Sequence, residues 1–290
     1  MKRRFKQVDV FTAVPYRGNP VAVVLDADGL STEDMQRIAR WTNLSESTFV
    51  LPPTQPGADY RLRIFTPGAE LPFAGHPTVG TAHAVIEAGM VARGKTALIQ
   101  ECAAGLLPLT IERVGGEQHI FVQVPEPTLR PVASDQYSAL RAILHTDWEA
   151  SAPPHIVSVG AVWLIVQLKD ESAVANLAPD LAAMTRLSNA LNVGGVTVFA
   201  RLPKGGRDAL KVRAFAPAHG IAEDPVCGSG NACVGAFLAH HPQFADLLPS
   251  YSSSQGREIG RDGHVSVFAE KQRVRIGGPA VTCVDGTIEA

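Results

Sequence analysis

RLRIFTPGAELPFAGHPTVGTA at residues 61–82 and KVRAFAPAHGIAEDPVCGSGNACVG at residues 211–235 are two copies of one pattern. Arg63, Phe65, Pro67, Ala69, Glu70, Pro72 and Gly75 recur as Arg213, Phe215, Pro217, Ala222, Glu223, Pro225 and Gly228, at an offset of 150 residues that becomes 153 after a three-residue insertion. Upstream, STEDMQRIARWTNLSESTFV at 31–50 matches PDLAAMTRLSNALNVGGVTVF at 179–199 at an offset of 149, with Met35/Met184, Arg37/Arg186, Asn43/Asn192 and Thr48/Thr197 in step. A period near 150 is far too long for a solenoid or propeller, so the chain reads as a duplicated αβ unit. Two related lobes of about 140 residues are ordinary domain sizes, and a cleft between lobes is a preferred place for a small-molecule site. Function is expected where the copies differ.

At 290 residues, with 46% hydrophobic and 19% charged residues, the chain can bury full cores without staples. Its net charge of −2 and lack of a basic stripe beyond MKRRFK argue against nucleic acid as a partner. No apolar segment follows that basic start as a signal peptide requires, and the longest apolar runs, at 21–25 and 160–166, are far short of a membrane span. A cytoplasmic location and no membrane partner are therefore expected. Cys102, Cys227, Cys233 and Cys283 are too sparse for a disulfide framework. Cys227 and Cys233 have no second pair and no histidine at ligand spacing, so no metal site is expected.

Alternating or apolar runs predict strands at 5–11, 20–25, 48–51, 60–65, 96–101, 107–113 and 118–124. Ser31 can cap a helix with Asp34 at its third position, and Met35, Ile38 and Ala39 supply its apolar face. A second helix follows GHPTVG and ends at Gly89. The second half repeats this order, with strands near 155–167, 196–201 and 209–216, helices at 179–191 and about 230–240, and late strands near 264–269 and 273–276. The proline-rich segment 125–154 reads as the crossover, with one short helical pattern around 135–145. The expected fold is α+β: two pseudo-symmetric lobes, each a bent mixed β-sheet wrapped around a central helix, with the active site between the lobes. Residues 1–128 form the N-terminal lobe, with 278–290 available to complete it, and 129–277 the C-terminal lobe.

Both motifs put glycine at a helix start directly after a strand and turn. Backbone N–H groups there lack intrahelical partners and suit a carboxylate or phosphate. The spacing is neither that of a P-loop nor that of a dinucleotide fingerprint, so no cofactor is indicated. The copies disagree at four informative places: Glu46 stands against Gly195, Cys227 against Ala74, His76 against Ser229, and Asp224 against Leu71. These substitutions insert ionisable or nucleophilic groups where the scaffold accepts something inert. Each also has a plainer reading, with Glu46 an exposed loop residue, His76 a helix-start polar group, Asp224 a cap and Cys227 a small core residue.

GNPVAVVLDADGLSTEDMQRIARWTNLSESTFVLPP at 18–53, FTPGAELPFAGHPTVGTAH at 65–83 and EDPVCGSGN at 223–231 resemble the PhzF-like phenazine-biosynthesis family of the diaminopimelate epimerase superfamily. The resemblance spans nearly the whole chain. It implies a diaminopimelate epimerase-like fold, a homodimer, and cofactor-free isomerisation by proton transfer on a small carboxylated substrate. The family's catalytic glutamate falls on Glu46, its histidine on His76 and its aspartate on Asp224. The same motifs supply Asn19, Ser45, Gly75, Pro77, Thr78, Cys227, Gly228, Ser229 and Gly230 as candidate substrate-binding positions. Related epimerases and racemases use two opposed cysteines, and this chain has Ala74 and Cys227 at the matching places. One thiol disfavours a two-thiol racemisation and leaves a carboxylate-centred transfer. Phenazine-pathway members typically carry threonine where this chain has Cys227. Two alternatives stay open: an amino-acid epimerase or racemase acting through Cys227, and a non-catalytic small-molecule-binding homologue.

Overall fold

The computed structural model describes residues 1–92 and 94–290. In chain order the elements are β1 (Lys2–Val10), β2 (Asn19–Val24), α1 (Thr32–Thr42), β3 (Ser47–Leu51), β4 (Tyr60–Phe65), β5 (Glu70–Leu71), α2 (Gly75–Glu87), β6 (Ala97–Cys102), β7 (Gly105–Val114) and β8 (Glu117–Gln123). There follow β9 (Thr128–Pro131), α3 (Tyr137–Leu144), β10 (His155–Val159), β11 (Ala161–Gln167), α4 (Glu171–Ala175), α5 (Leu181–Leu191), β12 (Gly195–Arg201), β13 (Leu210–Ala216), β14 (Ile221–Asp224) and α6 (Gly228–His240). The chain ends with β15 (Ser250–Gln255), β16 (Gly263–Glu270), β17 (Arg273–Gly278) and β18 (Ala280–Glu289). Its contacts divide it into two compact units, Met1–Gln123 with Gly277–Ala290, and Val124–Ile276.

In the first unit β1 lies antiparallel to both β2 and β18, β2 runs parallel to β3, and β3 antiparallel to β4. Strand β4 pairs with β5 antiparallel and with β6 parallel, and β6, β7 and β8 form a meander. The β7–β8 hairpin turns on Gly115 and Gly116, both at positive φ, which a tight two-residue turn demands and glycine supplies without strain. The second unit repeats the succession. Strand β11 runs parallel to β12, β12 antiparallel to β13, β13 pairs antiparallel with β14 and parallel with β15, and β15 is antiparallel to β16. Strands β9 and β10 extend it at one side.

The helices repeat as well. Helix α1 starts at Ser31, whose Oγ accepts the Asp34 N–H at 3.1 Å, and stops at Asn43 in the left-handed region. Helix α5 starts at Asp180, which accepts the Ala183 N–H at 2.9 Å, and stops at Asn192, also left-handed. Short polar side chains suit both ends, satisfying orphan donors at the start and tolerating positive φ at the stop. Met35 and Ala39 of α1 pack on Phe49 and Phe65, while Met184 and Leu187 of α5 join Val196, Val198 and Phe215.

Helices α2 and α6 are different: they are buried on nearly every side from their first turn, as a helix apolar all round must be. Helix α2 packs on β1, β2, β3, β8 and β18, and α6 on β10, β11, β12 and β16. A Cβ on Gly80 would fall 2.4 Å from Val21 Cγ1, and one on Gly235 2.8 Å from Val267 Cγ1. Some of the glycines in the repeated motif therefore serve close packing of helix on sheet.

Four expectations need correction. GHPTVG lies within α2 rather than before it, because Pro77 in a first turn forfeits no hydrogen bond. Helix α6 likewise begins at Gly228. The 155–167 run is two strands, broken where Gly160 turns at φ 95°. Strands β9, β15 and β18 were not expected, since SYSSSQ and VDGTIE carry no clear apolar alternation.

Candidate active site

In the first unit, Asn43 ends α1, and residues 44–46 lead into β3. The turn is tied by Thr42 Oγ1 and Ser47 Oγ at 2.8 Å, and the Glu46 carbonyl takes the Ala22 N–H at 3.5 Å. Glu46 is thereby held at the mouth of the parallel β2–β3 pair. His76 occupies the second position of α2, a helix that its buried flanks keep from shifting. The two meet: His76 Nδ1 stands 3.6 Å from Glu46 Oε2, with side chains 7% and 17% exposed. Among the described residues no group hydrogen-bonds to Glu46 Oε2 or His76 Nε2, although both atoms are shielded from solvent. Buried polar atoms are almost always satisfied, so an unmatched atom on each member of a close acid–imidazole pair makes the pair a candidate for chemistry.

The other first-unit candidates divide. Gly75 and Ser45 are half-buried beside this pair in sequence, and Asn19 is buried at the start of β2 opposite Val10. The N–H groups of Gly75 and His76 precede the first intrahelical bond. Thr78 turns inward: its N–H reaches Ala74 O at 3.3 Å, and its hydroxyl accepts from Gln100 Nε2, which shares its amide with the Tyr60 hydroxyl. Pro77 is buried too. The structure thus makes Thr78 an anchor for α2, and its side chain is not presented to a ligand. Thr81, bonded to Thr48 Oγ1 at 2.8 Å, is a second anchor.

In the second unit Asp224, Cys227 and Ser229 lie together on the turn into α6. Asp224 Oδ1 accepts the Val226 N–H at 3.2 Å. Cys227, 2% exposed, caps the helix: its Sγ accepts the Gly230 N–H at 3.2 Å and lies 3.6 Å from Ser229 Oγ. Burial, with the Asp224 carboxylate adding to it, pushes the Cys227 thiol well above its ordinary range, so it stays protonated at neutral pH. The free donors expected at this helix start are consequently fewer. Gly230 gives its N–H to Cys227 Sγ and Asn231 to Cys227 O, leaving Gly228 and Ser229. The lone cysteine thus does for α6 what Ser31 does for α1.

Two residues here escaped the sequence reading. Trp163 Nε1 donates to Ser229 Oγ at 2.9 Å. In the sequence it was simply part of an apolar strand, and the available signal was that a buried indole N–H needs a partner. Gln255, at the end of the unexpected β15, bonds the turn at two points and Asn231 of α6 at a third. Among the described residues no cluster of three or more His, Cys, Asp or Glu side chains could hold a metal, and no helix is long and apolar enough to cross a membrane.

With this geometry in place, the likenesses to known proteins become informative. The family described as "Phenazine biosynthesis-like protein" matches residues 8–286. The chain belongs to that family, and it is an isomerase of it. It is 42% identical to "Antisense-enhancing sequence 1" of Schizosaccharomyces pombe over 97% of each chain. It is 36% identical to the trans-2,3-dihydro-3-hydroxyanthranilate isomerase of Pseudomonas aeruginosa over 96% of this chain and 95% of that one. The fold matches the crystal structure of a Bacillus anthracis phenazine biosynthesis protein of the PhzF family along the full length of both, with TM-score 0.89 and 30% identity. A hydroxyproline epimerase from Agrobacterium vitis shares the fold at TM-score 0.68 and 14% identity, over 99% of this chain and 92% of that one.

Proposed function

We propose that the protein isomerises a small carboxylated substrate, amino-acid-like or a dihydroaromatic acid, by proton transfer without a cofactor, with Glu46 as general acid and base. The observation that carries this reading is the close Glu46–His76 pair, His76 buried and Glu46 half-buried, with one shielded polar atom on each that has no hydrogen-bond partner among the described residues. In the proposed step, a Glu46 oxygen takes a proton from carbon next to the substrate's carboxylate or unsaturated acid. The electron pair moves onto the acid's oxygens, where the N–H groups of Gly75 and His76 stabilise the charge. Glu46 then returns the proton to a different carbon, giving an isomer with no net gain or loss of atoms. His76 and Asp224 orient the substrate's amino or hydroxyl groups and relay protons, and Ser229 hydrogen-bonds to the substrate.

Among the relatives, the Pseudomonas aeruginosa enzyme is named for a dihydroaromatic amino acid, which supports that substrate class. A racemase acting through Cys227 is less well supported: the thiol is buried, protonated and engaged as a helix cap, and the matching residue in the other copy is Ala74. The homodimer belongs to the same proposal and is read by sedimentation.

The test is deuterium uptake in heavy water with trans-2,3-dihydro-3-hydroxyanthranilate and a panel of cyclic amino acids. Uptake or double-bond migration with one class supports the reading. Stable binding without exchange across the panel would instead favour a non-catalytic homologue.

A further inference from the structure

The turn Asp224-Pro225-Val226-Cys227 does not close on itself. The two backbone groups that would close it, the Asp224 C=O and the Cys227 N–H, are both taken by one side-chain amide. Gln255 Nε2 donates to Asp224 O at 2.8 Å, and Gln255 Oε1 accepts from Cys227 N at 3.1 Å. The amide itself is fixed. Oε1 also accepts from Asn231 Nδ2 at 2.9 Å, and Asn231 in turn holds Cys227 O and accepts from Ser253 Oγ. Gln255 is 2% exposed, and its backbone is paired with Val212 of β13 and Gly263 of β16; the next residue, Gly256 at φ 96°, lets the chain pass where a Cβ would lie 2.4 Å from Pro225 O.

We propose that Gln255 is a positioning residue for the isomerisation: by standing between the two ends of this turn it sets how far Asp224 lies from Ser229 and from the first turn of α6. This rests on the role assigned above to Asp224. An amide does this at neutral pH because the turn asks for a donor at one end and an acceptor at the other. An ionised carboxylate offers two acceptors and repels the Asp224 carbonyl, whereas an alkyl group offers neither. A displacement of about 1 Å at such a residue is enough to cost on the order of 10²-fold in rate.

The experiment compares Gln255→Glu, Gln255→Leu and Ser253→Ala with the unmodified full-length protein. It measures deuterium uptake by whichever panel compound the unmodified protein exchanges, from pH 5 to 8, alongside melting temperature. Gln255→Leu is expected to lose about 10²-fold in kcat. Gln255→Glu should lose as much at pH 8 and recover at least about tenfold relative to the unmodified protein at pH 5, since burial beside Asp224 keeps the new carboxyl protonated there and a protonated carboxyl can again donate to Asp224 O. A merely structural glutamine would shift melting without that pH-dependent rescue. Folded Gln255 variants within about threefold of normal kcat, or a Gln255→Glu deficit that does not change with pH, overturn the inference while leaving the isomerase reading intact. Should both Gln255 variants fail to fold, Ser253→Ala, which only loosens Asn231, decides: unchanged kcat overturns the inference and a severalfold loss supports it. No uptake by the unmodified protein with any compound overturns the isomerase reading, and this inference with it.

Discussion

His76 Nδ1 faces Glu46 Oε2 across 3.6 Å inside the first unit, and neither Glu46 Oε2 nor His76 Nε2 finds a hydrogen-bond partner among the described residues. The pair combines a residue from the end of a helix–strand turn with one from the first turn of a core helix. Replacing Glu46 by Gln keeps the shape and removes the proton-accepting oxygen. Glu46→Gln is expected to lose at least about 10²-fold in kcat, as positioned acid–base groups do, with ligand binding nearly intact and melting temperature little changed. Retention of more than about a tenth of normal turnover would count against Glu46 as the base.

The position matching Glu46 in the other copy shows what the scaffold demands. A Cβ on Gly195 would lie 2.0 Å from Phe215 O and 2.9 Å from Trp163 Cζ3, so position 195 admits only glycine. Gly195→Ala should cost about 3 kcal/mol or more, because the obstructing atom is backbone. Gly286→Ala, with nothing within 4 Å of the added carbon, should change stability by no more than about 0.5 kcal/mol. Urea unfolding of the two variants checks the contrast, and equal losses would refute it.

How much of this was legible beforehand depended on local signals. Ser31, Asn43 and Asn192 announce helix ends by side-chain chemistry, and the duplicated motif exposes Glu46, His76, Asp224 and Cys227 as departures from a shared pattern. The contacts that fix those groups come from distant segments. Gln255 belongs to a strand of serines whose burial comes from its neighbours β13 and β16 rather than from its own hydrophobicity. The inward turn of Thr78 depends on Gln100 and Tyr60, which no spacing rule links to it.

The anion sites are narrower than the motifs suggest. Thr78, Gly230 and Asn231 spend their N–H groups internally, so the N–H donors that remain are those of Gly75 and His76 in α2, and of Gly228 and Ser229 in α6. A sulfate or carboxylate in a crystal is expected on one of these pairs. Anions found only on surface arginines would weaken the role given to the helix starts.

Acid stability has a definite contributor in Asp208. Burial pushes its carboxyl up, but hydrogen bonds from His264 Nδ1 at 2.9 Å and Ser252 Oγ at 2.7 Å outweigh that and hold it below the ordinary carboxylate range. A carboxyl lowered in the folded state contributes stability above its unfolded pKa, and that contribution is lost as pH falls through the folded value. Asp208→Asn should therefore be less stable at pH 7, by about 1–3 kcal/mol, with the gap closing below about pH 4. A gap of constant size from pH 7 to pH 3 in urea unfolding would contradict this.

Cys227 decides between the carboxylate and thiol mechanisms. Its Sγ caps α6 through the Gly230 N–H, a task a serine hydroxyl performs well. Cys227→Ser is therefore expected to keep the cap, change stability by about 1 kcal/mol at most, and leave kcat within a few-fold of normal. Cys227→Ala removes the cap and should cost about 0.5–2 kcal/mol, again with little effect on kcat. A working thiol would behave oppositely: the serine variant would lose at least about 10²-fold in kcat at unchanged melting temperature, because a hydroxyl cannot ionise near neutral pH. The thiol's raised pKa adds a second observable. Alkylation of Cys227 in the folded protein should be slow at pH 7, when almost no thiolate exists, and rapid modification with parallel loss of turnover would restore the racemase reading.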